Sequence, residues 1–293
     1  MINLYGFFQF LYLDHPIVVH VLNMYGGVGT EEYAYNTIAA TTMFGGRRFV
    51  SIFSGMHSYA IFNLLTLAVS IGLMKLNNRG KWLNGLAIAS LIGSILGGLL
   101  SASKSFFFGA LVFLIVYCLI ERKSVGNALK VSFSLLLFII ITFLLYAESR
   151  IIRDLVNIVT SLNFSAIFYS RYSSEGYLRD VMAITFKPFT LMFGLGGEAF
   201  NYKYSDSQFR QVLLVGGILL FFVFYSFIAY LCDINYRFRK LSIFGAPFFS
   251  LGIALLFIGI GIAAHIQARI IPLWLLFHLT FFNRSRHAIN SRL

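Results

Sequence analysis

The chain has 293 residues, 58% of them hydrophobic and 12% charged, with 33 phenylalanines against 23 lysines and arginines together. Soluble domains carry about 45–50% apolar and about 25% charged residues, and a soluble fold of this size cannot hide so much apolar surface. The composition excludes a soluble globular protein. It also turns the net charge of +12 from a nucleic-acid signal into a question of where the bases sit relative to membrane spans.

A spanning helix needs about 20 mostly apolar residues. On that basis the spans fall at roughly 54–74, 83–102, 105–120, 131–147, 211–232, 243–264 and 267–283. The stretch from Asn3 to Met24 is apolar but broken by Asp14, His15, Pro16 and His20. It reads either as an extra span or as an interfacial helix. It does not read as a signal peptide, since it has neither a basic start nor a small-residue cleavage site. The expected class is an all-α polytopic integral membrane protein of seven to eight transmembrane helices, one membrane domain over 1–293. One long loop, 148–210, lies inside that domain.

The connections alternate in charge. Lys75, Arg79 and Lys81 follow the first span, and Arg122, Lys123 and Lys130 follow the third. Arg237, Arg239 and Lys240 follow the fifth, and Arg284, Arg286 and Arg292 lie in the tail. Only Glu121 and Asp233 are acidic among them. The positive-inside rule assigns this side, and with it the C-terminus, to the cytoplasm. Cys118 and Cys232 fall in different spans near that side, outside any metal or disulfide spacing.

The opposite face holds the informative charges. Ser101-Ala102-Ser103-Lys104 joins two spans with almost no loop and places Lys104 at a helix N-terminus. That position either binds an anion or carries a lysine that snorkels to the interface. The long loop carries Arg150, Arg153, Arg171, Arg179, Lys187, Lys203 and Arg210. Guanidinium groups there suit phosphate oxygens, and a lipid diphosphate is the natural anion. The alternative is pairing with Glu148, Asp154, Glu175, Asp180, Glu198 and Asp206. Arg47 and Arg48, before the first span, either anchor to lipid phosphates or help bind an anionic substrate.

Phe193-Gly194-Leu195-Gly196-Gly197 is glycine-rich without the Lys-Ser/Thr of a Walker loop. It suits a tight turn or close approach to a ligand. Asp206 stands four residues before Arg210, where it either takes a proton from a hydroxyl or pairs with Arg210. Gly216-Gly217 lies in the span that follows. His57, His265 and His278 show no metal spacing and suit hydrogen-bonded structural roles.

Taken in order, the Ser101–Lys104 turn, the arginine-bearing loop, Gly194-Leu195-Gly196, Asp206 and Gly216-Gly217 resemble the O-antigen polymerase and O-antigen ligase superfamily. The resemblance covers roughly residues 45–235. It implies a glycosyltransferase of the bacterial inner membrane with its active site on the periplasmic face, so that 148–210 is a periplasmic loop. It implies undecaprenyl-diphosphate-linked oligosaccharide as substrate, no metal or other cofactor, and no nucleic acid. Membrane lipids and a chain-length regulator are the other implied partners. Lys104 then takes the place of the family's basic residue after a Ser/Thr-rich turn, and Arg171 that of its large-loop arginine, with Arg179 second. Asp206 stands ten residues before Gly216, where the ligase branch carries a histidine, which favours the polymerase branch. The implied catalytic residues are Asp206, Arg171 and Lys104. Arg48, Arg179, Arg210 and Glu175 are the implied substrate-binding residues. The family ordinarily has more spans than this chain. A lipid-linked oligosaccharide flippase or exporter is the main alternative, and an inactive fragment or assembly subunit a third. The near absence of ionisable residues from the spans speaks against transport.

Overall fold

The computed structural model describes residues 56–75, 81–101, 103–121, 179–201 and 207–259, and every element among them is helical. In chain order these are α1 (Met56–Met74), α2 (Lys81–Leu100), α3 (Lys104–Ile120), α4 (Arg179–Thr185) and α5 (Pro188–Phe193). A 3-10 turn (Gly196–Asn201), α6 (Gln208–Arg237), a second 3-10 turn (Phe238–Lys240) and α7 (Gly245–Ile258) follow. Five helices therefore stand where the spans at 54–74, 83–102, 105–120, 211–232 and 243–264 were expected. The expected spans 131–147 and 267–283, and the ambiguous stretch Asn3–Met24, lie outside the described residues.

Two segments are long and apolar enough to cross a membrane, Lys81–Leu99 and Gln208–Lys240, while α1, α3 and α7 are apolar but shorter. The surfaces of the two long segments are apolar as well. Trp82 is 77% exposed, and Leu83, Leu86, Ile92 and Leu96 are exposed along α2. On α6 the exposed side chains include Leu219, Phe222, Val223, Phe227 and Tyr230. Water-soluble proteins seldom show contiguous apolar patches of that extent.

The core forms around α1, which packs on α2, α3 and α7, while α3 lies along α7. Ile61, Leu64, Leu65 and Ala68 of α1 meet Phe106, Ala110 and Phe113 of α3 and Phe248, Leu251, Ala254 and Leu255 of α7. Small residues let these helices approach. A Cβ on Gly109 would come 2.5 Å from Leu64 Cδ1 and 3.4 Å from Ile258 Cγ2, and one on Gly72 would strike the Phe244 ring. Ser70 Oγ reaches Ser90 Oγ at 3.0 Å between α1 and α2.

One expectation changes here. The turn at Ser101–Ser103 is tight: Ser101 Oγ donates to Gly98 O at 2.6 Å and Ser103 N–H donates to Ser101 Oγ at 3.3 Å. Yet α2 and α3 do not form a packed hairpin. Each packs instead against α1, and α3 also against α7. Phe106, wholly buried, fills the space beside Gly98 just past the turn.

The contacts also fix which helix ends lie together. Lys75 at the end of α1 pairs with Glu121 at the end of α3, Nζ to Oε1 at 2.6 Å, and lies 5.1 Å from the Tyr117 ring centroid. Phe244 at the start of α7 meets Gly72 near the end of α1. Asp233 pairs with Arg237 at 2.7 Å one turn on. The described bases that the sequence assigns to one side thus share one end of the bundle, together with both acids of that side. The ends of α2 and α7 and the start of α3 lie at the opposite end. Replacing either Lys75 or Glu121 by methionine is expected to lower stability by about 1 kcal/mol, and the double replacement by no more than either single one, because a partly buried charge left alone costs more than the pair contributes. Thermal unfolding in detergent of the three variants measures this coupling, and additive losses would show that the pair is not formed.

Candidate functional site at the broken helix

α6 is not one straight rod. Gly216 (φ −136°, ψ 17°) and Gly217 (φ 62°, ψ −162°) leave helical geometry and divide it into arms 208–215 and 218–237. The side-chain contacts show how sharp the break is. Gln208 Nε2 reaches Tyr225 Oη at 3.2 Å, and the Phe209 ring stacks on Tyr225 with centroids 4.9 Å apart and planes 10° apart. In a straight helix residues 208 and 225 would be about 25 Å apart. The first arm therefore folds back along the second, and Phe221 closes the aromatic cluster, 4.6 Å from Tyr225. The break falls inside the span expected at roughly 211–232 and divides it into two arms. Residues 208–210 are already helix, and Ser207, Gln208 and Gln211 are buried.

The glycine-rich turn after α5 holds the break in place. A Cβ on Gly194 (φ 74°) would come 2.5 Å from Gly216 N, and one on Gly217 would come 2.6 Å from Phe193 N. Two stretches of bare backbone thus touch, which only glycine allows at these φ values. The close approach expected of Gly194 is made to the protein's own chain. Ending a helical arm orphans its last carbonyls. Leu195 N–H answers one of them, donating to Leu214 O at 2.8 Å. Around this joint Val181, Ala199 and Leu214 form a second small core, separate from that of α1, α3 and α7. Residues 179–201, the described part of the long loop, are therefore a clamp of short helices on the first arm.

The first arm points its N-terminus back to the level of the helix ends. Gln208 N–H donates to Gly259 O at 2.9 Å, just past α7. One residue earlier, Ile258 faces Gly109 and Leu64. Gln208, Tyr225, Gly259 and the first turns of α3 thus stand at similar depth, with Asn63 of α1 close to that level. Several other buried polar groups bond back to their own helix: Thr185 to Val181 O, Ser94 to Leu91 O, Asn235 to Leu231 O and Ser250 to Ala246 O. Gln208 instead bonds across the fold. Asn63, fully buried, donates to Tyr59 O at 2.9 Å, and its Oδ1 has no hydrogen bond among the described residues. Polar groups buried in a membrane helix are costly and mark functional sites by default.

The expected site residues divide as follows. Lys104 is the first residue of α3 and Arg179 the first of α4. Arg210 is half-buried in the first turn of the first arm. Arg48, Arg171, Glu175 and Asp206 lie outside the described residues. Three expected features meet in one place or at one end: the Gly194–Gly197 turn, the Gly216-Gly217 break and the Ser101–Lys104 turn. Gln208 and Tyr225 were missed. Their signal was present, a polar residue and a tyrosine on either side of a double glycine, but a hydropathy scan averages over all of them. Replacing Tyr225 by phenylalanine is expected to cost about 1 kcal/mol, the worth of one hydrogen bond. Replacing it by alanine is expected to cost about 3–4 kcal/mol by removing the stack on Phe209 as well. Thermal unfolding in detergent separates the two. Equal losses would mean that the ring contributes nothing to the fold-back.

Compared with known proteins, the chain matches no family model, no curated relative and no solved structure.

Proposed function

We propose that the chain is an oligosaccharide repeat-unit polymerase, of the kind that builds O-antigen or capsule. In this reading it is a polytopic protein of the bacterial inner membrane with its C-terminus in the cytoplasm. The growing glycan is held on undecaprenyl diphosphate at the periplasmic face. A sugar hydroxyl of a second lipid-linked unit attacks the anomeric carbon of the first sugar. The C–O bond to the diphosphate breaks, and lipid diphosphate leaves with the electron pair. Asp206, with Glu175 second, takes the proton of the attacking hydroxyl. Lys104 and Arg171, supported by Arg48, Arg179 and Arg210, stabilise the charge that develops on the diphosphate. Diphosphate is a good leaving group, so no general acid or metal is required.

The observation that carries this reading is the placement of the broken helix. The arm bearing Arg210 is folded back and clamped by the glycine turn at the end of the bundle where α3 begins with Lys104. Residues far apart in sequence thereby share one end, away from the cluster of Lys75, Arg237, Arg239 and Lys240. A broken helix at that depth suits a site that meets the anionic head of a lipid-linked substrate. The test is the surface polysaccharide of cells carrying Lys104→Ala or Arg171→Ala: loss of the long-chain ladder supports the reading, and unchanged ladders reject it.

A further inference from the structure

The clamp has an aromatic outer face that nothing among the described residues covers. Phe186, Phe189, Met192 and Phe193 are all exposed, Phe189 at 72%, while Thr190 on the inner side of α5 is buried. The Phe189 and Phe193 rings lie 5.4 Å apart. Exposed Lys187 sits beside them, and Glu198 on the 3-10 turn is exposed as well. We infer that α5 lies in the bilayer's headgroup–acyl boundary with Phe186, Phe189, Met192 and Phe193 immersed in lipid. The inference rests on α6 crossing the membrane, and not on the reaction proposed above.

Depth carries it. The second arm, 218–237, holds twenty residues and is about 30 Å long, the thickness of a bilayer's hydrocarbon core. Its basic end, with Arg237, Arg239 and Lys240, marks one boundary. The joint at Gly216-Gly217 therefore emerges at the other. The backbone of Met192 and Phe193 touches Gly217, so α5 is held at that boundary. Leu219, Phe222 and Val223, near the joint on the second arm, are exposed and apolar as well. Aromatic rings with a flanking lysine are the side chains that partition to this zone. A short helix of this kind sinks about 5–10 Å into the boundary.

The experiment is lipid-bromine quenching of a tryptophan placed on α5. Trp82→Phe and Trp274→Phe remove the native fluorophores, and Phe189→Trp adds one to the purified full chain in phosphatidylcholine vesicles. The expected result is blue-shifted emission with a large loss of intensity in brominated lipid, greater for bromines near the headgroup than near the chain end. Met192→Trp should behave alike and stands in if Phe189→Trp inserts poorly. Val223→Trp reports separately whether α6 meets lipid. Quenching at Val223→Trp with red emission and aqueous iodide quenching at Phe189→Trp would overturn the inference and leave the membrane reading intact. Blue emission at Phe189→Trp that brominated lipid leaves untouched would also overturn it, since protein, such as a second copy, would then cover the face. Loss of quenching at both sites would reject the membrane reading itself. Neither readout depends on polysaccharide synthesis.

Discussion

Alanine at Gly217 is expected to destabilise the protein by at least about 3 kcal/mol, and to deplete it from membranes. Two costs combine at this position. The backbone stands at φ 62°, ψ −162°, a region that side chains other than glycine's occupy only at a cost of about 1–3 kcal/mol. The added carbon would also strike the backbone of Met192, which has no rotamer by which to withdraw. Relief requires α5 to move off the joint, which breaks the Leu195–Leu214 hydrogen bond and opens the small core around Val181, Ala199 and Leu214. Gly196 and Gly197 are the controls. Gly196 has φ 55° but open space where a Cβ would go, so alanine there should cost only about 1–2 kcal/mol. Gly197 has neither a positive φ nor a neighbour, so alanine there should change little. Thermal unfolding in detergent, with the amount of protein in membranes, ranks the three. A Gly217→Ala protein as stable as Gly197→Ala would show that the two backbones do not touch.

On the proposed function, alanine at Lys104 or Arg171 is expected to lower polymerisation by about 100–1,000-fold each, the usual effect of removing one preorganised group that stabilises developing charge. On gels the long-chain ladder should vanish and single repeat units accumulate outside the inner membrane. Single units outside distinguish the polymerase from a flippase, whose loss would hold them inside. Lys104→Arg should keep part of the activity, because the charge at the start of α3 is retained. Arg210→Ala is the intermediate case. Arg210 lies in the first turn of the folded-back arm, so its loss should weaken substrate use more than it lowers the amount of protein. Full-length ladders from a well-expressed Lys104→Ala, Arg171→Ala double variant would sink the mechanism. Clamp and proposed chemistry are thus tested apart: Gly217→Ala is expected to deplete the protein, whereas Lys104→Ala is expected to leave the protein and remove the proposed product.

Composition and hydropathy alone were enough to locate α1, α2 and α3, and the start of α7, within about two residues. An apolar run of about 20 residues has few ways to bury its backbone hydrogen bonds other than as a helix. The alternation of basic connections likewise anticipated that Lys75, Glu121, Asp233 and Arg237 share one end of the bundle. The glycines at 194, 216 and 217 also stood out as punctuation. Only the tertiary structure decided what they punctuate. Glycine is nearly neutral in hydropathy, so a window spanning 208–237 reads as one helix whether it is straight or doubled back. The direction of the fold depends on contacts distant in sequence: Phe209 on Tyr225, Gln208 on Gly259, Gly194 on Gly216. The packing of Phe106 against Gly98 is of the same kind. Local sequence sets where a helix exists and where it can break, since both follow from one residue's own backbone and hydration. Which way it turns is set by packing between residues that the chain brings together only once it has folded.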